Sequence, residues 1–422
     1  MIKLERFLQS FGGISRALSN KEYRTYWFGQ IVMVQGFWIY KIAAGWLMWE
    51  MTNSSAWLGF LAAAYFLPVL FLGPVGGALA DHYGHKYTAI IMGLLGSLVA
   101  IMAAILTWTG NITPIFLLLH AMLQGIAFSF EFPARQSLLP TLVGKGDMPA
   151  AVAVNSTTFY TSSFTGPIFG GLLLTIGSTE FGAGLSFITN AICMAWMVGA
   201  LTFLRAPKDQ SKYKNKNKIF GILDNLSSGF VYSYKDKNIR LLILLLFTGS
   251  FFIRPYLDFL PEFSDEIFQT GKEGLSLLTA FSGIGSIFFA VFFAIRGRVG
   301  GLTLYLIYSQ IGAMIFFILF AITESFAIGL ILLSALGGLL VSSSIAVQSL
   351  IQHSISDIYR ARVISIAVSI AVGSPAISAM AIGWLSKYLG LQNSLIISGI
   401  IGILITVLLS TKLIKRQHEI ES

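Results

Sequence analysis

The chain has few charged residues and almost no cysteine. Charged residues make up 11% of its 422 residues, less than half of the roughly 25% that is typical of soluble domains. The single cysteine, Cys193, excludes an internal disulfide framework and a cysteine-rich metal site. The five histidines show no metal-ligand spacing. We therefore expect no metal and no cofactor.

Sequence signals of enzymes are missing as well. No Gly-x-x-x-x-Gly-Lys-[Ser/Thr] loop occurs, since Gly271-Lys272 lacks the earlier glycine, and no Gly-x-Ser-x-Gly elbow occurs. The N-terminal residues lack the short apolar core and small-residue cleavage site of a secretory signal. We expect a protein that is not an enzyme and does not use ATP by itself.

Long apolar runs take the place of these signals. The chain is 55% hydrophobic, with a mean hydropathy of +0.76, and a run of about 20 apolar residues can cross a bilayer. This composition predicts an all-α, multi-pass membrane protein. Hydropathy and turn signals predict twelve transmembrane helices, at 24–50, 56–80, 87–108, 114–134, 150–176, 181–203, 239–261, 274–295, 301–321, 326–352, 361–386 and 391–411.

The basic residues predict the orientation. If both termini lie in the cytoplasm, all of the 28 Lys and Arg except Lys41, Arg254, Lys272 and Lys387 fall on or beside cytoplasmic segments, as the positive-inside rule requires. This placement explains the net charge of +9 without a nucleic-acid partner. The predicted domains are a lead-in at 1–22, a six-helix bundle at 23–204, a linker at 205–238, a second bundle at 239–412 and a tail at 413–422. Within the linker, residues 208–218 are expected to contact anionic lipid headgroups.

The two bundles show signs of a sequence repeat. Gln136-Ser137-Leu138 matches Gln348-Ser349-Leu350, an offset of 212, and Gly84-His85 matches Gly297-Arg298, an offset of 213. Two similar offsets in the same kinds of loop predict pseudo-symmetric halves, which are common in secondary transporters.

Residues 76–86, GGALADHYGHK, resemble a motif of a known family. This stretch resembles the loop motif of the major facilitator superfamily, and the stretches 23–59 and 132–157 resemble its bacterial exporter branch, with enterobactin-type siderophore exporters and macrolide efflux proteins. The resemblance implies the major facilitator fold and proton-driven export of small amphipathic molecules. The motif positions are Gly77, Leu79, Ala80, Asp81, His82, Gly84, His85 and Lys86.

Some family positions are changed. Phe37 follows the span-one glycine, Gly36, where an acidic residue is frequent, and Ala121 stands where the span-four antiporter motif has arginine. The span-five antiporter motif has Ser162 in place of one glycine. Its remaining positions resemble exporters more than importers, and they are Gly166, Pro167, Gly170 and Gly171.

The resemblance also implies a cytoplasmic gate. Asp81 would accept hydrogen bonds from a helix N-terminus in the other half, and an ordinary polar turn is the alternative. His82 and His85 replace stronger bases, so they either sense pH near neutrality or act as simple basic substitutions. The gating set is Gly77, Asp81, Gly84, Lys86 and Arg135.

Charges inside spans are the sharper signal, because they are costly there and face a cavity or a partner. Lys41 and Arg254 lie 213 positions apart, which is the offset of the repeat. We expect both to face the pathway and attract an anionic group. Alternatively each is neutralised locally, Arg254 by Asp258 and Lys41 by Glu131 or Glu50.

Two carboxyl groups are candidates for proton coupling, Glu131 and Asp258, although Glu131 can instead pair with Arg135 one turn on. Polar and aromatic side chains in the spans either orient a ligand or pack between helices. Those named for the pathway are Gln35, Gln124, Asn155 and Tyr256, beside Gln30, Gln310, Thr158, Ser162, Thr165, Trp38, Tyr40, Trp46 and Phe251.

The sequence thus predicts a proton-coupled exporter of a small amphipathic molecule such as a siderophore or drug, in a bacterial inner membrane. An anionic cargo is expected if the two intramembrane cations face the pathway. The expected partners are this substrate, protons and membrane lipids, and the expected functional form is a monomer. An importer or lysolipid-type flippase of the same fold is one alternative. A transporter-like receptor or scaffold that moves nothing is the other.

Overall fold

The computed structural model describes residues 18–143, 147–205, 230–296, 300–355 and 359–421, and every regular element among them is helical. Most of the predicted lead-in, residues 206–229 of the linker and the Gly297-Arg298 match lie outside the described residues. The first six helices are α1 (Lys21–Thr52), α2 (Ser55–Tyr83), α3 (His85–Trp108), α4 (Pro114–Leu142), α5 (Met148–Leu174) and α6 (Thr179–Phe203). The others are α7 (Lys237–Phe252), α8 (Tyr256–Glu262), α9 (Gly271–Arg296), α10 (Leu302–Ile322), α11 (Phe326–Ser354), α12 (Arg360–Leu389), α13 (Leu391–Ile414) and α14 (Gln417–Glu421).

Eleven helices in the described part of the chain are long and apolar enough to cross a membrane. They match eleven of the twelve predicted spans. The twelfth, predicted at 150–176, forms as the 27-residue helix α5 but is not among the eleven. Its hydropathy is lowered by the run of hydroxyl side chains from Ser156 to Thr165. The chain is therefore an all-helical, multi-pass membrane protein, and a twelfth crossing stays a prediction.

The predicted seventh span differs from the structure. Instead of one helix at 239–261, α7 ends at Phe252, Ile253 to Pro255 form turns, and α8 follows and runs into a π-helix, Phe263–Ile267. Pro255 has no N–H to donate to the preceding turn, and the chain leaves the helical conformation at Ile253 and resumes it at Tyr256. Arg254 therefore lies at a helix break and not within a continuous helix.

The chain divides into two compact units that do not follow the sequence halves. The first comprises Met1–Ala43, Phe71–Ile112 and Leu123–Lys216, and the second Ala44–Leu70, Thr113–Met122 and Asn217–Ser422. Residues 44–70 of α1 and α2 thus cluster with helices of the second half. The predicted bundle boundaries stay a prediction from the repeat.

Each unit has its own apolar core. In the first, Tyr23 and Tyr26 of α1 pack with residues of α2, α4, α5 and α6 such as Leu138 and Leu201. In the second, α7, α10, α11 and α12 bury a cluster that includes Leu242, Leu306, Val347 and Val363, and Tyr232 stacks on Tyr359 with ring centroids 4.3 Å apart. Association of membrane helices depends on close packing, so these clusters hold the helix ends that carry the polar sites.

Candidate substrate pathway and gating residues

The glycines of the span-five motif bring α5 against α1. A Cβ on Gly166 would lie 2.5 Å from the Cβ of Trp38, and one on Gly170 would lie 3.2 Å from the Cα of Ile39. Glycines spaced by four residues let two membrane helices approach to backbone contact. The predicted antiporter motif is thus a helix-crossing surface, and Gly171 is buried beside it.

The polar face of α5 meets polar side chains of α1 at this crossing. The hydroxyl of Tyr23 donates to Asn155 Oδ1 at 3.3 Å, and the indole of Trp27 donates to Thr158 Oγ1 at 2.9 Å. Further along, Gln35 Nε2 donates to Thr165 Oγ1 at 2.6 Å. The predicted pathway residues Gln35 and Asn155 thus both lie at the α1–α5 crossing, at different levels of it, and each links the two helices.

Lys41 lies on the next turn of α1 and is half-buried. Its Nζ is 5.8 Å from the centroid of the Trp38 ring, a cation–π distance. The indole of Trp38 is buried, and its Nε1 has no hydrogen-bond partner among the described residues. The ammonium group of Lys41 and the indole N–H of Trp38 thus lie about one turn apart on α1, and Trp38 packs against Gly166 of α5.

Gln124 lies elsewhere in the first unit. It is buried in α4, and its Nε2 donates to the backbone carbonyl of Gly96 in α3 at 3.0 Å. A side chain that links two helices in this way is helix–helix glue. This contact is of the packing kind that was one of the two alternatives for Gln124, and its place in the pathway stays a prediction.

A buried ion pair occupies the junction of α4 and α1. Arg135 Nε lies 2.5 Å from Glu131 Oε1, and the two residues are 3% and 4% exposed. The same guanidinium donates to the hydroxyl of Tyr26 at 3.4 Å and to Gln30 Oε1 at 3.3 Å. The predicted i,i+4 pairing of Glu131 with Arg135 is what the structure shows. The guanidinium also ties α4 to α1.

The loop motif is mostly helical. The only non-helical residue between α2 and α3 is Gly84, with φ of +100°, a conformation that glycine adopts without strain. Asp81 is exposed on the last turn of α2, and its Oδ1 lies 3.5 Å from His85 Nε2. Lys86 Nζ donates to the carbonyls of Thr202 and Leu204 at 3.1 and 2.8 Å. Lys86 therefore caps the C-terminus of α6, where a cation is favourable.

Gly77 lies about one turn before Asp81 in α2 and is partly buried. A Cβ there would only touch the Cβ of Pro133 at 4.0 Å, whereas one on the adjacent Gly76 would strike the carbonyl of Ser129. In a regular α-helix the carbonyl of Ser129 would accept from the N–H of residue 133, but Pro133 has no N–H. The close approach of α2 to α4 at the loop motif is thus made by Gly76.

Arg254, at the break of the seventh span, makes a different kind of contact. Its Nη1 donates to the carbonyl oxygen of Ala371 in α12 at 3.1 Å. Next to the break, Tyr256 is buried and shares a 2.5 Å hydrogen bond with Ser282 of α9. Asp258, one turn after Arg254, is half-buried. The predicted residues of this region, Arg254, Tyr256 and Asp258, thus follow one another from the helix break into the first turn of α8.

A cluster beyond Asp258 was missed by the sequence analysis. Ser55 Oγ donates to Glu262 Oε2, and Trp49 Nε1 donates to Asp265 Oδ2 at 2.9 Å. The predicted span ends at residue 261, so the sequence places these carboxyl groups outside the membrane. The π-helix gives no periodic signal, and the partners are more than 200 positions apart.

Among the described residues, no group of three or more His, Cys, Asp or Glu side chains is arranged to hold a metal ion.

Two relatives of known name match parts of the chain. The staphyloferrin A transporter of Staphylococcus aureus (strain NCTC 8325 / PS 47) is 25% identical over 260 residues, which are 60% of this chain and 62% of the relative. The enterobactin exporter EntS of Shigella dysenteriae serotype 1 (strain Sd197) is 27% identical over 185 residues, 43% of this chain and 44% of the relative. The match thus spans less than two thirds of each relative.

Solved structures share the fold at low identity. A POT family transporter in complex with 5-aminolevulinic acid has a TM-score of 0.73 at 13% identity, covering 94% of this chain and 96% of that one. A bacterial homologue of the human lysosomal transporter Spinster has a TM-score of 0.72 at 14% identity, covering 96% and 98%. These likenesses establish a transporter fold, not a substrate.

The broadest match is a family model described as transmembrane secretion effector, which covers residues 14–422. The siderophore transporters above support the branch that the stretches 23–59 and 132–157 predicted. The family and the fold are those of membrane transporters and not of enzymes. The chain belongs to the transmembrane secretion effector family of the major facilitator superfamily.

Proposed function

We propose that this transporter exports a small amphipathic, anionic molecule of the siderophore type in exchange for protons. It works by alternating access in a bacterial inner membrane, with twelve spans and both termini in the cytoplasm. The staphyloferrin A transporter and the enterobactin exporter support this cargo class. The α1–α5 glycine crossing at Gly166 and Gly170 supports export, because it carries the motif that resembles exporters.

The observation that carries the proposal is the pair of cations in the first helices of the two halves. Lys41 lies within the membrane helix α1, and Arg254, at the equivalent repeat position, lies at the break of the seventh span. Broken spans and intramembrane charges line substrate sites in transporters. Two cations at equivalent repeat positions favour a ligand with carboxylate or other anionic groups. Tyr256, next to Arg254, belongs to the same proposed pathway.

Proton coupling is assigned to the carboxyl groups inside the spans. Glu131 and Asp258 remain the candidates, and their environments differ. Glu131 is held by Arg135, which also binds Tyr26 and Gln30 in the first unit. A proton on Glu131 would weaken that ion pair and loosen α1 from α4, which is a direct way to couple a proton to a helix movement. The gating set around Asp81 would then close the cytoplasmic end.

The experiment that tests this function uses inside-out membrane vesicles with an acidified lumen and a pH-sensitive dye. Staphyloferrin A and enterobactin are the trial cargoes. An exporter that exchanges protons for cargo should dissipate the pH gradient when cargo is added, and labelled cargo should accumulate in the lumen. Accumulation without dye recovery would contradict proton exchange. No accumulation of either cargo, with accumulation in right-side-out vesicles, would contradict export.

Matched variants test the cation pair. Lys41→Ala and Arg254→Ala should lower cargo accumulation at equal expression, and Lys41→Arg should retain most of it, because the charge is kept. The control is Lys412→Ala, which removes an exposed cation from the last turn of α13, outside the proposed pathway and the gating set. Normal transport in both Lys41→Ala and Arg254→Ala would contradict the anionic site.

A further inference from the structure

Glu262 is a buried carboxyl group that the proposed function does not use. It ends α8, is 7% exposed, and accepts a hydrogen bond from the hydroxyl of Ser55, the first residue of α2. Among the described residues, no ion pair of Glu262 with a basic side chain is found. Because Ser55 and Glu262 belong to opposite halves of the sequence, a carboxyl group sits in a contact that the two halves share.

The surrounding contacts are tight, and all lie within the second compact unit. We call this region the closed end: residues 44–52 of α1, 55–70 of α2, α8 with its π-helix, and the part of α12 that touches α2. Trp49, 1% exposed, donates to Asp265, and Gly45 lies against Pro261. On α12, Gly383 lies so near the backbone of Ser55 that a Cβ would come within 2.6 Å of its carbonyl oxygen.

The π-helix sets the positions of the acidic side chains at this end. Phe268 N–H donates to the carbonyl of Phe263 at 2.9 Å, the wide turn that defines it, and Ser264 Oγ closes it by donating to Gly271 O at 2.5 Å. Turns of this kind are frequent at functional sites. The result is that Glu262 points into the contact while Asp265 and Glu266 are exposed.

The electrostatics of the closed end favour a neutral Glu262. Burying an ionised carboxylate without an ionic partner costs several kcal/mol, and a hydroxyl supplies only one hydrogen bond. Glu266, one helical turn further on, adds negative charge nearby. The other charged residues at this end of the helices are Asp258 of α8, Asp265 of the π-helix, Glu50 of α1, Lys272 and Glu273 of α9, and Lys387 of α12.

We propose that the closed end forms only when Glu262 carries a proton, so that Glu262 is a protonation site that controls closure. The site rests on the proposed function, in which this end faces the outside. Opening exposes the carboxyl group to water, where it loses the proton. Closing takes a proton up from that side. Acid outside the cell therefore favours the closed end, since the state that binds more protons gains as pH falls.

The test measures opening directly and needs no substrate. Cys193→Ser removes the one native thiol, and Ala56→Cys places a thiol at a residue that is 1% exposed and touches Gly383. Whole cells are treated with a membrane-impermeant maleimide from about pH 5.5 to about pH 8.5, with corrections for the thiolate fraction from an exposed Asn53→Cys control. Labelling of the thiol at position 56 should rise on the order of tenfold per pH unit until the open state predominates, the dependence expected for one proton.

Variants assign the effect to the carboxyl group. Glu262→Gln, a permanently neutral isostere, should label slowly at every pH. Ser55→Ala, which keeps the carboxyl group but removes its donor, should shift the rise in labelling towards lower pH. Asp265→Asn should keep the pH dependence. The same pH dependence in Glu262→Gln as in the parent, or labelling that does not vary with pH in the parent, would overturn the proposal.

Failure here is distinguishable from failure of the export function. If cargo fails to move in vesicles but labelling at position 56 follows pH through Glu262, the export assignment falls and the protonation site stands. If cargo moves normally and labelling ignores Glu262, the reverse holds. Size-exclusion profiles of each purified variant show that it is folded, and Ser55→Ala supplies the result if Glu262→Gln does not fold.

Discussion

Arg254 Nη1 donates a hydrogen bond to the carbonyl oxygen of Ala371, and the residue four positions beyond Ala371 is Pro375. In an α-helix the carbonyl of residue 371 would accept from the N–H of residue 375, which proline lacks. The guanidinium therefore replaces the missing backbone donor of α12 and joins the break in the seventh span to that helix. At least one of the five N–H groups of Arg254 is engaged in this way.

This relationship predicts a coupling between positions 254 and 375. Arg254→Ala should destabilise the protein by about 1–3 kcal/mol, because it leaves a partly buried carbonyl without a donor. In a Pro375→Ala background the N–H of residue 375 can bond to Ala371, so the same substitution should cost less. Thermal unfolding in detergent of the parent, the two single variants and the double variant measures the difference. Strictly additive effects would contradict the assignment.

Transport in the same four proteins separates the two roles of Arg254. If Arg254 only supplies a donor, Pro375→Ala should restore transport to Arg254→Ala along with its stability. If it also attracts anionic cargo, stability should return and transport should not. The proposed function requires the second outcome.

In the buried Glu131–Arg135 pair, each residue should destabilise the protein when its partner is removed. Removing one member leaves the other charged and buried, which costs about 3–5 kcal/mol. Glu131→Gln and Arg135→Gln should therefore each destabilise the protein, and Glu131→Gln/Arg135→Gln should recover much of the loss. Thermal unfolding gives the stabilities. Proton-driven accumulation in the double variant, with the pH dependence of the parent, would remove Glu131 from the coupling role.

Local patterns in the sequence predicted local features well. The apolar runs predicted the helices, and the i,i+4 spacing predicted the Glu131–Arg135 pair. These features depend on residues a turn or two apart. The motif at 76–86 likewise identified the family, because its residues are adjacent in the chain.

Features that depend on distant contacts were missed. The break at Arg254 had a local signal in Pro255, but the high hydropathy of the flanking residues outweighed it. Glu262 could not be recognised as buried, because its partner Ser55 is 207 positions away. The clustering of residues 44–70 with helices of the second half likewise depends on contacts between residues that are far apart in the sequence.

The α1–α5 crossing predicts that Gly166 is intolerant of any side chain. In Gly166→Ala the new Cβ would lie 2.5 Å from the Cβ of Trp38, and overpacking of this kind costs about 1–3 kcal/mol. Thermal stability and transport should both fall. The control is Gly199→Ala in α6, where a Cβ meets nothing within 4 Å. It should leave stability unchanged or raise it slightly, since alanine favours helix. Equal effects at the two positions would contradict the crossing.

The docking of the C-terminal helix α14 against α10 should weaken in acid. Glu421 accepts from the backbone N–H groups of Gly301 and Thr303, both at 2.7 Å, at the start of α10. Burial alone would raise the pKa of Glu421, but these hydrogen bonds outweigh it and hold the pKa below its ordinary value of 4.5. A lowered pKa in the folded state stabilises the docked helix above pH 4.5, and the stabilisation disappears as pH falls through the lowered value.

Removing the carboxylate of Glu421 should therefore loosen α14 from α10 at neutral pH. Glu421→Gln should speed hydrogen exchange of residues 417–421 and of the first turn of α10 at pH about 7, because a neutral amide is a weaker acceptor than a carboxylate. Glu419→Gln is the matched control, since Glu419 pairs with Arg416 on the exposed surface, where ion pairs contribute little. Equal exchange in parent and Glu421→Gln would mean that the capping contact does not hold α14 against α10. Faster exchange in Glu421→Gln alone would show that the two N–H groups of α10 anchor the end of the chain.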